Sequence, residues 1–561
     1  MAGLYAALHL QRAGYRVHIF EGTDRIGGRV QTFYFNGDKD QFFEAGAMRI
    51  PHSPHHRIVF DLIKFIQSSP LPSDMQVNLM PYRLTSPGNF VYINHRRPKG
   101  LDASSTTPRS INWALPEETR AKFQDRTAED LMVEAVSPLL QKLHGNFTDG
   151  FEEICREFDD LSFRQYLSSR LGWPTDVIDF LETVASQTNQ FYFSVTEIVM
   201  EYMDFSTKEW FTIANGMSRL PLAMAHLVGN DNITLNARVT GIHNEANGKV
   251  TLSIAGCNGP VQATFDKVIM AIPSSALKVI HNRPAWSERK ECAIRSMHFE
   301  SLYKMGLRFS TRFWERVDSM ACRGGQSTTD LPIRWIVYPS NGIGEEGPGV
   351  LLVYSWMADA NAWLPLTQEE RRDLALANLA KIYNGKIDTK DGSTINVYDL
   401  FMEASDAVWS ERNSTGDAKF LPGQFQSRFE AARRPEGNIY FAGEHLSRHH
   451  TWIAGALESA WETVSNIING PLPHLGPSGV ESVEVERKDL VKRPVLTKGP
   501  DTVAWESAIL AGGHVGDGGK SDVDFVLQRR RKPFGLNLEI DPSVRPGTEL
   551  TRNQGAKTRR T

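Results

Sequence analysis

Apolar and polar residues at the start of the chain follow a pattern that predicts a helix, a turn and a buried strand. Apolar residues recur at helical spacing across residues 3–14, and Gly14 then occupies the position where a glycine commonly ends a helix. Residues 17–20 form a short, mostly apolar run, which is typical of a strand in a parallel sheet, and Glu21 follows it directly. This order matches the second half of a dinucleotide-binding βαβ unit, in which the acid accepts hydrogen bonds from a ribose.

Only the last part of the glycine fingerprint of such a unit is present in this sequence. Met1-Ala2-Gly3 fits the last three positions of G-x-G-x-x-G, and Gly3 would be the glycine that lets the helix pack closely against a strand. We therefore expect a first strand and two further glycines upstream of Met1, which would then be an internal methionine. If the chain started here, the helix N-terminus that should hold phosphate would be frayed.

The pattern changes further along the chain. Strands and loops are expected over residues 30–115, where short apolar runs mix with Pro and Gly, and a helical insertion is expected over residues 116–215. Strand patterns return between residues 233 and 415, and a helix is predicted at 453–467. These elements indicate a mixed α/β fold.

The residues after 470 differ in character from the rest. Proline, glycine and charged residues become more frequent and the periodicity is lost, so we expect residues 471–561 to be a disordered tail. The basic cluster at 529–532 leaves a targeting or nucleic-acid patch as the alternative.

Composition narrows the classes of function. The chain has 561 residues, 41% of them hydrophobic, and a net charge of −4, which suits a globular protein and gives no argument for binding nucleic acid or an anionic membrane. No stretch approaches the ~18 apolar residues of a membrane span. The four cysteines are scattered without metal-ligand spacing, so a cytoplasmic location is expected, and secretion stays open if residues precede this sequence.

Several motifs resemble those of one enzyme family. Residues 21–29 read E-x-x-x-R-x-G-G-R, which resembles the signature of the flavin amine oxidases. Further segments resemble L-amino-acid oxidases and come in the same order along the chain. They are 44–51 (EAGAMRIP), 327–332 (STTDLP), 440–445 (YFAGEH) and 451–453 (TWI), and the resemblance spans residues 1–470.

The resemblance implies an α/β fold with a discontinuous, Rossmann-like FAD-binding domain, a mixed-sheet substrate domain and a helical insertion. FAD is the implied cofactor and a homodimer is expected. The implied boundaries are 1–38, 216–298 and 416–470 for the FAD-binding domain, 39–115 and 299–415 for the substrate-binding domain, and 116–215 for the helical domain.

The resemblance assigns four side chains to substrate and chemistry. Arg49 would hold an amino-acid carboxylate through two parallel hydrogen bonds, and Tyr338 would add another. Lys304 would hydrogen-bond through a water to flavin N5, where a cation suits hydride arrival and oxygen reduction because both build negative charge. Trp452 would lie beside the flavin and form a wall of the amine pocket. The structural alternatives are an arginine paired with an acid, aromatic core residues and a solvent-facing strand lysine.

A larger set is assigned to the cofactor. Its glycines would let the backbone approach the flavin without an intervening Cβ. Val239 would contact the adenine or, in the alternative, serve as strand core. His445, His449 and His450 are interpreted as loop residues, and no metal site is expected. The cofactor set is Gly3, Glu21, Arg25, Gly28, Arg29, Gly46, Ala47, Met48, Arg49, Val239, Gly443, Glu444, Trp452 and Ile453.

The implied activity is oxidation of the α-amine of an L-amino acid to an imine. Water would hydrolyse the imine to a 2-oxo acid and ammonia, and oxygen would be reduced to hydrogen peroxide. The expected partners are thus a small amino acid or amine and O2. Three alternatives stay open: an oxidase of amines without a carboxylate, a monooxygenase that yields an amide, and a non-catalytic remnant that lacks part of the FAD site.

Overall fold

The computed structural model describes residues 1–185, 188–256, 259–317, 320–410 and 415–470, with Leu472 and Leu475. The prediction of a disordered tail therefore concerns residues that lie almost entirely outside the described part of the chain. Within the described part, none of the helices combines the length and apolar character needed to span a membrane.

Helices are concentrated in the middle of the chain. A run of six, α3 to α8, occupies the region for which a helical insertion was predicted. The helices are α1 (Ala2–Arg12), α2 (Arg57–Ser68), α3 (Glu117–Phe123), α4 (Ala128–Gly145), α5 (Phe147–Phe158), α6 (Phe163–Ser169), α7 (Thr175–Ala185), α8 (Val195–Phe205), α9 (Arg219–Val228), α10 (Ser274–Leu277), α11 (Glu288–Ser296), α12 (Met357–Asn361), α13 (Gln368–Tyr383), α14 (Val397–Leu400), α15 (Glu430–Arg433) and α16 (Ile453–Ile468).

Strands occur on both sides of this helical region. They form a six-stranded sheet in the order β17-β13-β16-β15-β14-β6 and several small sheets. The strands are β1 (Ile19–Phe20), β2 (Thr32–Tyr34), β3 (Phe42–Glu44), β4 (Ile50–Pro51), β5 (Leu79–Pro81), β6 (Val91–Tyr92), β7 (Trp210–Ile213), β8 (Ile233–Thr234), β9 (Arg238–Asn244), β10 (Val250–Gly256), β11 (Gly259–Phe265), β12 (Val268–Met270), β13 (Leu302–Phe309), β14 (Gln326–Thr329), β15 (Trp335–Val337), β16 (Gly349–Trp356), β17 (Phe401–Val408) and β18 (Ile439–Phe441).

The predicted helix and strand at the start of the chain are both present as α1 and β1. Strand β1 pairs in parallel with β8, so that Ile19 lies opposite Ile233. Strand β12 pairs in parallel with β18, which places segments from distant parts of the sequence side by side. Helices α1, α9 and α16 share one buried apolar cluster, which includes Leu4, Leu220 and Leu457. These parallel pairs and covering helices give the mixed α/β architecture that the sequence predicted.

The six-stranded sheet has two chemically different faces, because successive side chains on a strand point to opposite sides. Lys304 of β13 lies opposite Tyr354 of β16 and shares its face. The other face carries Tyr303 and Met305, which pack in a buried cluster with residues of α13 such as Leu379. Helix α13 therefore covers one face of the sheet and leaves the Lys304 face towards the rest of the molecule.

Two boundaries differ from the prediction. Helix α2 lies within residues 30–115, where strands and loops were expected to dominate, and its residues Val59, Leu62, Ile63 and Ile66 have helical spacing and are buried. Strand β7 falls inside the predicted helical insertion. It pairs with β4 and β5, so its position is fixed by residues that precede the insertion.

Candidate active site

A cavity of about 1510 Å³ is lined by segments that are far apart in sequence. Its wall includes the start of α1, the loop after β1, residues 45–49, part of the Lys304 face of the six-stranded sheet and the residues that precede α16. The volume exceeds the roughly 300–1,000 Å³ of a site for one drug-sized ligand, so there is room for a large cofactor together with a substrate.

Glu21 stands at the end of β1 and lines the cavity, as predicted for a ribose-binding acid. Its Oε1 accepts hydrogen bonds from the backbone N–H of Thr23 at 2.9 Å and from the Thr23 hydroxyl at 2.8 Å. Both bonds reach the same oxygen and fix the orientation of the carboxylate. Val239, predicted to contact adenine, lines the same cavity.

The loop that follows is held by its own arginine. Arg25, predicted to bind the cofactor, donates to the carbonyl of Gly28 at 2.7 Å and thereby braces the loop. Gly28 has φ of +57°, and no heavy atom lies within 4 Å of the position that a Cβ would occupy. The backbone at Gly28 therefore borders open space in the cavity wall, and a side chain there would project into the space that a cofactor would use.

Arg29 and Glu444 form a partly buried ion pair that connects the first cofactor motif of the chain to the last. Their closest atoms are 2.8 Å apart, and Arg29 also donates to the carbonyl of Gly416 at 2.7 Å. The other Glu444 oxygen accepts from the Thr451 N–H at 2.9 Å. Burial alone would raise the pKa of Glu444, but Arg29 with its neighbours outweighs burial and lowers that pKa to about 2. The carboxylate thus holds protein segments together at the cavity wall.

The segment 45–49 crosses the centre of the cavity wall. Gly46 approaches the backbone of Arg29 so closely that a Cβ would lie 2.0 Å from the Arg29 carbonyl oxygen. The neighbouring backbone of Arg29 therefore requires glycine at position 46, in addition to any requirement that a bound cofactor imposes. Ala47 and Met48 follow and also line the cavity.

Gly3 and the residues around α16 complete the predicted cofactor set. An added Cβ at Gly3 would lie 3.4 Å from Cβ of Ala271, just beyond β12, which agrees with the predicted close approach of helix and strand. Gly443, Glu444 and Ile453 all line the cavity.

Lys304 is only 4% exposed and its ammonium group points at the backbone of the 45–49 segment. Nζ donates to the carbonyl oxygens of Gly46 and Glu44, and it lies 4.5 Å from the ring centre of Tyr354. Burial lowers the pKa of Lys304 to about 7, while Glu44 raises it and Arg49 lowers it further. The solvent-facing alternative for this lysine is therefore wrong.

Arg49 is buried in the cavity wall between aromatic rings. Its guanidinium carbon lies 4.9 Å from the ring centre of Phe205 and 5.6 Å from that of Trp210, and Nη1 is 3.5 Å from Gln326 Oε1. In the described ranges no carboxylate forms an ion pair with Arg49. The structural alternative, an arginine paired with an acid, is therefore not what this part of the chain shows.

Trp452 lines the cavity and belongs to the same aromatic wall. Its ring centre is 5.5 Å from that of Phe205 and 6.0 Å from that of Trp210. His56 contacts the Trp452 ring edge to face at 5.1 Å from behind. Arg49 and Trp452, predicted separately from two motifs, are thus brought together by Phe205 and Trp210, which the sequence analysis did not single out.

Tyr338 is not brought to Arg49, and this corrects the prediction. Its hydroxyl is 2.7 Å from the Tyr383 hydroxyl and donates to Ser327 at 3.1 Å, inside the cluster covered by α13. The reason is strand alternation, since Val337 belongs to the buried cluster of the opposite face and Tyr338 follows it. Tyr338 is a core residue in this structure.

Tyr354, unlike Tyr338, is a tyrosine of the six-stranded sheet that lines the cavity. It is buried, lines the cavity and lies on the Lys304 face of the sheet. Burial raises the pKa of Tyr354, Asp417 raises it further and Arg49 lowers it, so the phenol lies within the electrostatic reach of the guanidinium. The sequence signal that could have identified Tyr354 was its place in a buried strand, because alternate residues of a strand face the same side.

Two of the three histidines interpreted as loop residues belong to buried hydrogen-bond networks. Asp204 Oδ1 lies 3.0 Å from His56 Nε2 and 2.8 Å from His449 Nδ1, and these ligand-type atoms lie within 4.8 Å of one another. Burial alone would raise the pKa of Asp204, but the two histidines lower it. His450 Nδ1 lies 2.7 Å from Glu197. Such a His–Asp–His group has metal-ligand chemistry, which the spacing in sequence did not predict.

Comparisons with known proteins agree with the geometry. A Dictyostelium discoideum protein that bears the provisional name bifunctional amine oxidase is 32% identical over 507 residues, which cover 83% of this chain and 45% of that protein. The L-amino-acid oxidase of Siganus canaliculatus is 28% identical over 473 residues, covering 83% of each. A solved structure of a putrescine oxidase variant superposes with a TM-score of 0.62 at 19% identity and covers 83% of this chain and 96% of its own.

The family model of flavin containing amine oxidoreductases matches residues 1–468. The residues present fit the FAD that this family uses. Glu21 stands at the end of the first strand, the backbone of Gly28 borders open space, and the cavity is large enough. The Rossmann-like α/β fold predicted from the sequence is the fold of this family. The chain therefore belongs to the flavin containing amine oxidoreductases and is a flavoprotein oxidoreductase that acts on amines.

Proposed function

We propose that the protein catalyses the oxidative deamination of L-amino acids. The overall reaction converts an L-amino acid, O2 and water into a 2-oxo acid, ammonia and hydrogen peroxide. The observation that carries this proposal is Arg49, a buried guanidinium in the cavity wall that forms no ion pair within the described part of the chain. A buried cation of this kind is suited to binding a substrate carboxylate. An oxidase of amines that have no carboxylate would not need such a cation.

The side chains around the cavity have different roles in substrate binding. FAD, when bound, supplies the electron acceptor that takes up the two electrons from the amine and passes them to oxygen. Arg49 binds the α-carboxylate, and the rings of Phe205 and Trp452, against which Trp210 packs, exclude water and hold the substrate in place. When its amine is protonated, Lys304 places a positive charge at the cavity wall.

The test is a comparison of L-amino acids with the amines that remain when their carboxylate is removed. For the holoenzyme we expect kcat/KM to be at least a hundredfold higher for the amino acid of such a pair. Arg49→Ala should raise KM for amino acids about a hundredfold, because about 3 kcal/mol of charge-assisted binding is lost. Arg49→Lys should recover only part of that loss, since lysine cannot form the paired hydrogen bonds.

Three results would contradict the proposal. Equal turnover of an amine and its parent amino acid by the wild type would favour an oxidase of simple amines. An amide as the product, in place of a 2-oxo acid, would favour a monooxygenase. A purified protein without the flavin absorbance band would favour a non-catalytic remnant.

A further inference from the structure

We propose that the cavity contains a subsite for a positively charged substrate side chain, formed by Asp417 and Glu201. The preferred substrates would then be L-amino acids whose side chain ends in an ammonium or guanidinium group. This inference rests on the proposed function, because Arg49 must hold the α-carboxylate for the side chain to reach the two acids.

Asp417 is a buried carboxylate that the protein leaves incompletely paired. The residue lines the cavity and is 7% exposed. Within the described chain, its Oδ1 is buried and has no hydrogen-bond partner. Burial raises the pKa of Asp417 to about 7, although Lys419 lowers it. A carboxylate in this position is costly without a partner, and a substrate cation would supply one.

Glu201 supplies a second carboxylate to the cavity wall. It lies on α8 one turn before Phe205, which is part of the aromatic wall near Arg49, and both residues line the cavity. Lys419 Nζ donates to Glu201 Oε2 at 2.8 Å, and Gln190 Nε2 donates to the same oxygen at 2.7 Å. No donor among the described residues contacts Oε1, which is therefore available to a ligand.

The cation that balances these acids is Lys419, which lies behind the cavity wall and is shared by several carboxylates. Lys419 is 2% exposed and does not line the cavity. It lies 2.8 Å from Glu201 and 3.6 Å from Glu197, and its charge also lowers the pKa of Asp417. His450 contacts Glu197 as well, but one lysine still serves three carboxylates. This part of the wall therefore holds more carboxyl groups than cations to balance them.

The two acids and Arg49 lie on the cavity wall near one tyrosine, Tyr354. Burial raises the pKa of Tyr354, Asp417 and Glu201 raise it further, and Arg49 lowers it, so all three charged groups act on the same buried phenol. Trp356 also lines the cavity there and offers an aromatic face to a cation. A pocket whose wall carries both a cation and acids matches a molecule with a carboxylate and a distant positive charge, and the acids repel an acidic side chain.

The experiment compares L-lysine with L-norleucine, which has the same carbon chain as lysine and lacks its terminal ammonium group. With the holoenzyme we expect kcat/KM to be at least tenfold higher for lysine, which corresponds to about 1.4 kcal/mol. Asp417→Asn and Glu201→Gln should each reduce the lysine to norleucine ratio at least fivefold. A ratio measured in one preparation is independent of the folded fraction. Glu182→Gln removes a buried, paired acid that does not line the cavity, and it should keep the wild-type ratio.

Equilibrium binding gives a readout without turnover. Calorimetric titration with 6-aminohexanoate and with hexanoate, which lack the α-amine, should show at least tenfold tighter binding of 6-aminohexanoate, and Asp417→Asn should reduce this preference. Equal kcat/KM values for lysine and norleucine, or a lysine to norleucine ratio that neither acid variant changes, would overturn the charged subsite and leave the proposed function intact. Oxidation of cadaverine without oxidation of either amino acid would overturn the proposed function and with it this inference.

Discussion

At the scale of single residues, the side chains that face the cavity are selected by strand alternation and by distant neighbours. Arg49, Lys304 and Trp452 were predicted from local motifs, and all three line the cavity. Tyr338 was predicted from a motif of the same kind, but its strand turns it into the core. A motif identifies the segment that reaches a site, whereas the face of the strand decides which of its residues enters.

The two tyrosines provide a matched pair of variants. Tyr354→Phe should raise KM for amino acids about tenfold, because one hydrogen bond to a charged carboxylate is lost. Tyr338→Phe should leave KM unchanged and lower the free energy of unfolding by about 1–2 kcal/mol, since Ser327 and Tyr383 lose a buried partner. Steady-state kinetics and urea unfolding measure the two effects. An increase of KM in the Tyr338 variant alone would show that the assignment of faces is wrong.

Lys304 should give the reaction with oxygen a distinctive pH dependence. Burial lowers the pKa of Lys304 to about 7, with Glu44 raising it and Arg49 lowering it, so its side chain is a cation below this pH and neutral above it. Reduction of oxygen builds negative charge, and kcat/KM for O2 should therefore fall as pH rises through about 7. Lys304→Met should lower this constant at least tenfold at pH 6 and remove the decline. An unchanged profile in the variant would exclude Lys304 as the source.

At the scale of elements, the sequence predicted those whose own pattern is strong. Helix α16, predicted at residues 453–467, spans Ile453–Ile468, because its signal is contained within a few turns of the chain. The pairing of β7 with β4 and β5 could not be predicted, since it depends on partners more than a hundred residues away. The same applies to Phe205, at the end of α8, and to Asp417, in a loop, because the sequence does not state where these segments lie in the fold.

Glu444 links several elements, and its removal should have a pH-dependent cost. Its pKa is about 2 in the folded protein against an ordinary value of 4.5, so the unfolded chain binds more protons between these values. The stabilisation is complete above pH 4.5 and is lost as pH falls towards 2. Glu444→Gln should therefore lower the free energy of unfolding by about 3 kcal/mol at pH 7 and by roughly half of that at pH 3. Urea unfolding at the two pH values checks this.

A surface ion pair offers the control for Glu444. Glu403 pairs with Arg308, but its side chain is 36% exposed, and Glu403→Gln should change stability by less than about 1 kcal/mol. Equal losses in the Glu444 variant at pH 7 and pH 3 would show that its carboxylate acts through packing and not through its charge.

At the scale of the whole molecule, the cavity joins segments that form no continuous unit in the sequence. The loop after β1, the 45–49 segment, the Lys304 face of the sheet and the residues before α16 each provide one part of the wall. Arg29 and Glu444 connect two of these segments directly. A ligand that contacts all of them should stabilise the folded chain as a whole, since it binds the native arrangement and not the separated segments.

FAD should therefore raise the stability of the folded protein in a way that depends on the segments it contacts. At a free concentration a hundredfold above Kd, FAD should add about 2.7 kcal/mol to the free energy of unfolding and raise Tm by about 2–3 °C. Riboflavin lacks the adenosine that Glu21 and Val239 are predicted to hold, so its effect at equal concentration should be smaller. Glu21→Ala should reduce the FAD effect and leave the riboflavin effect unchanged. Thermal unfolding with both flavins measures this, and equal effects of the two flavins on the wild-type protein would place the adenosine outside this cavity.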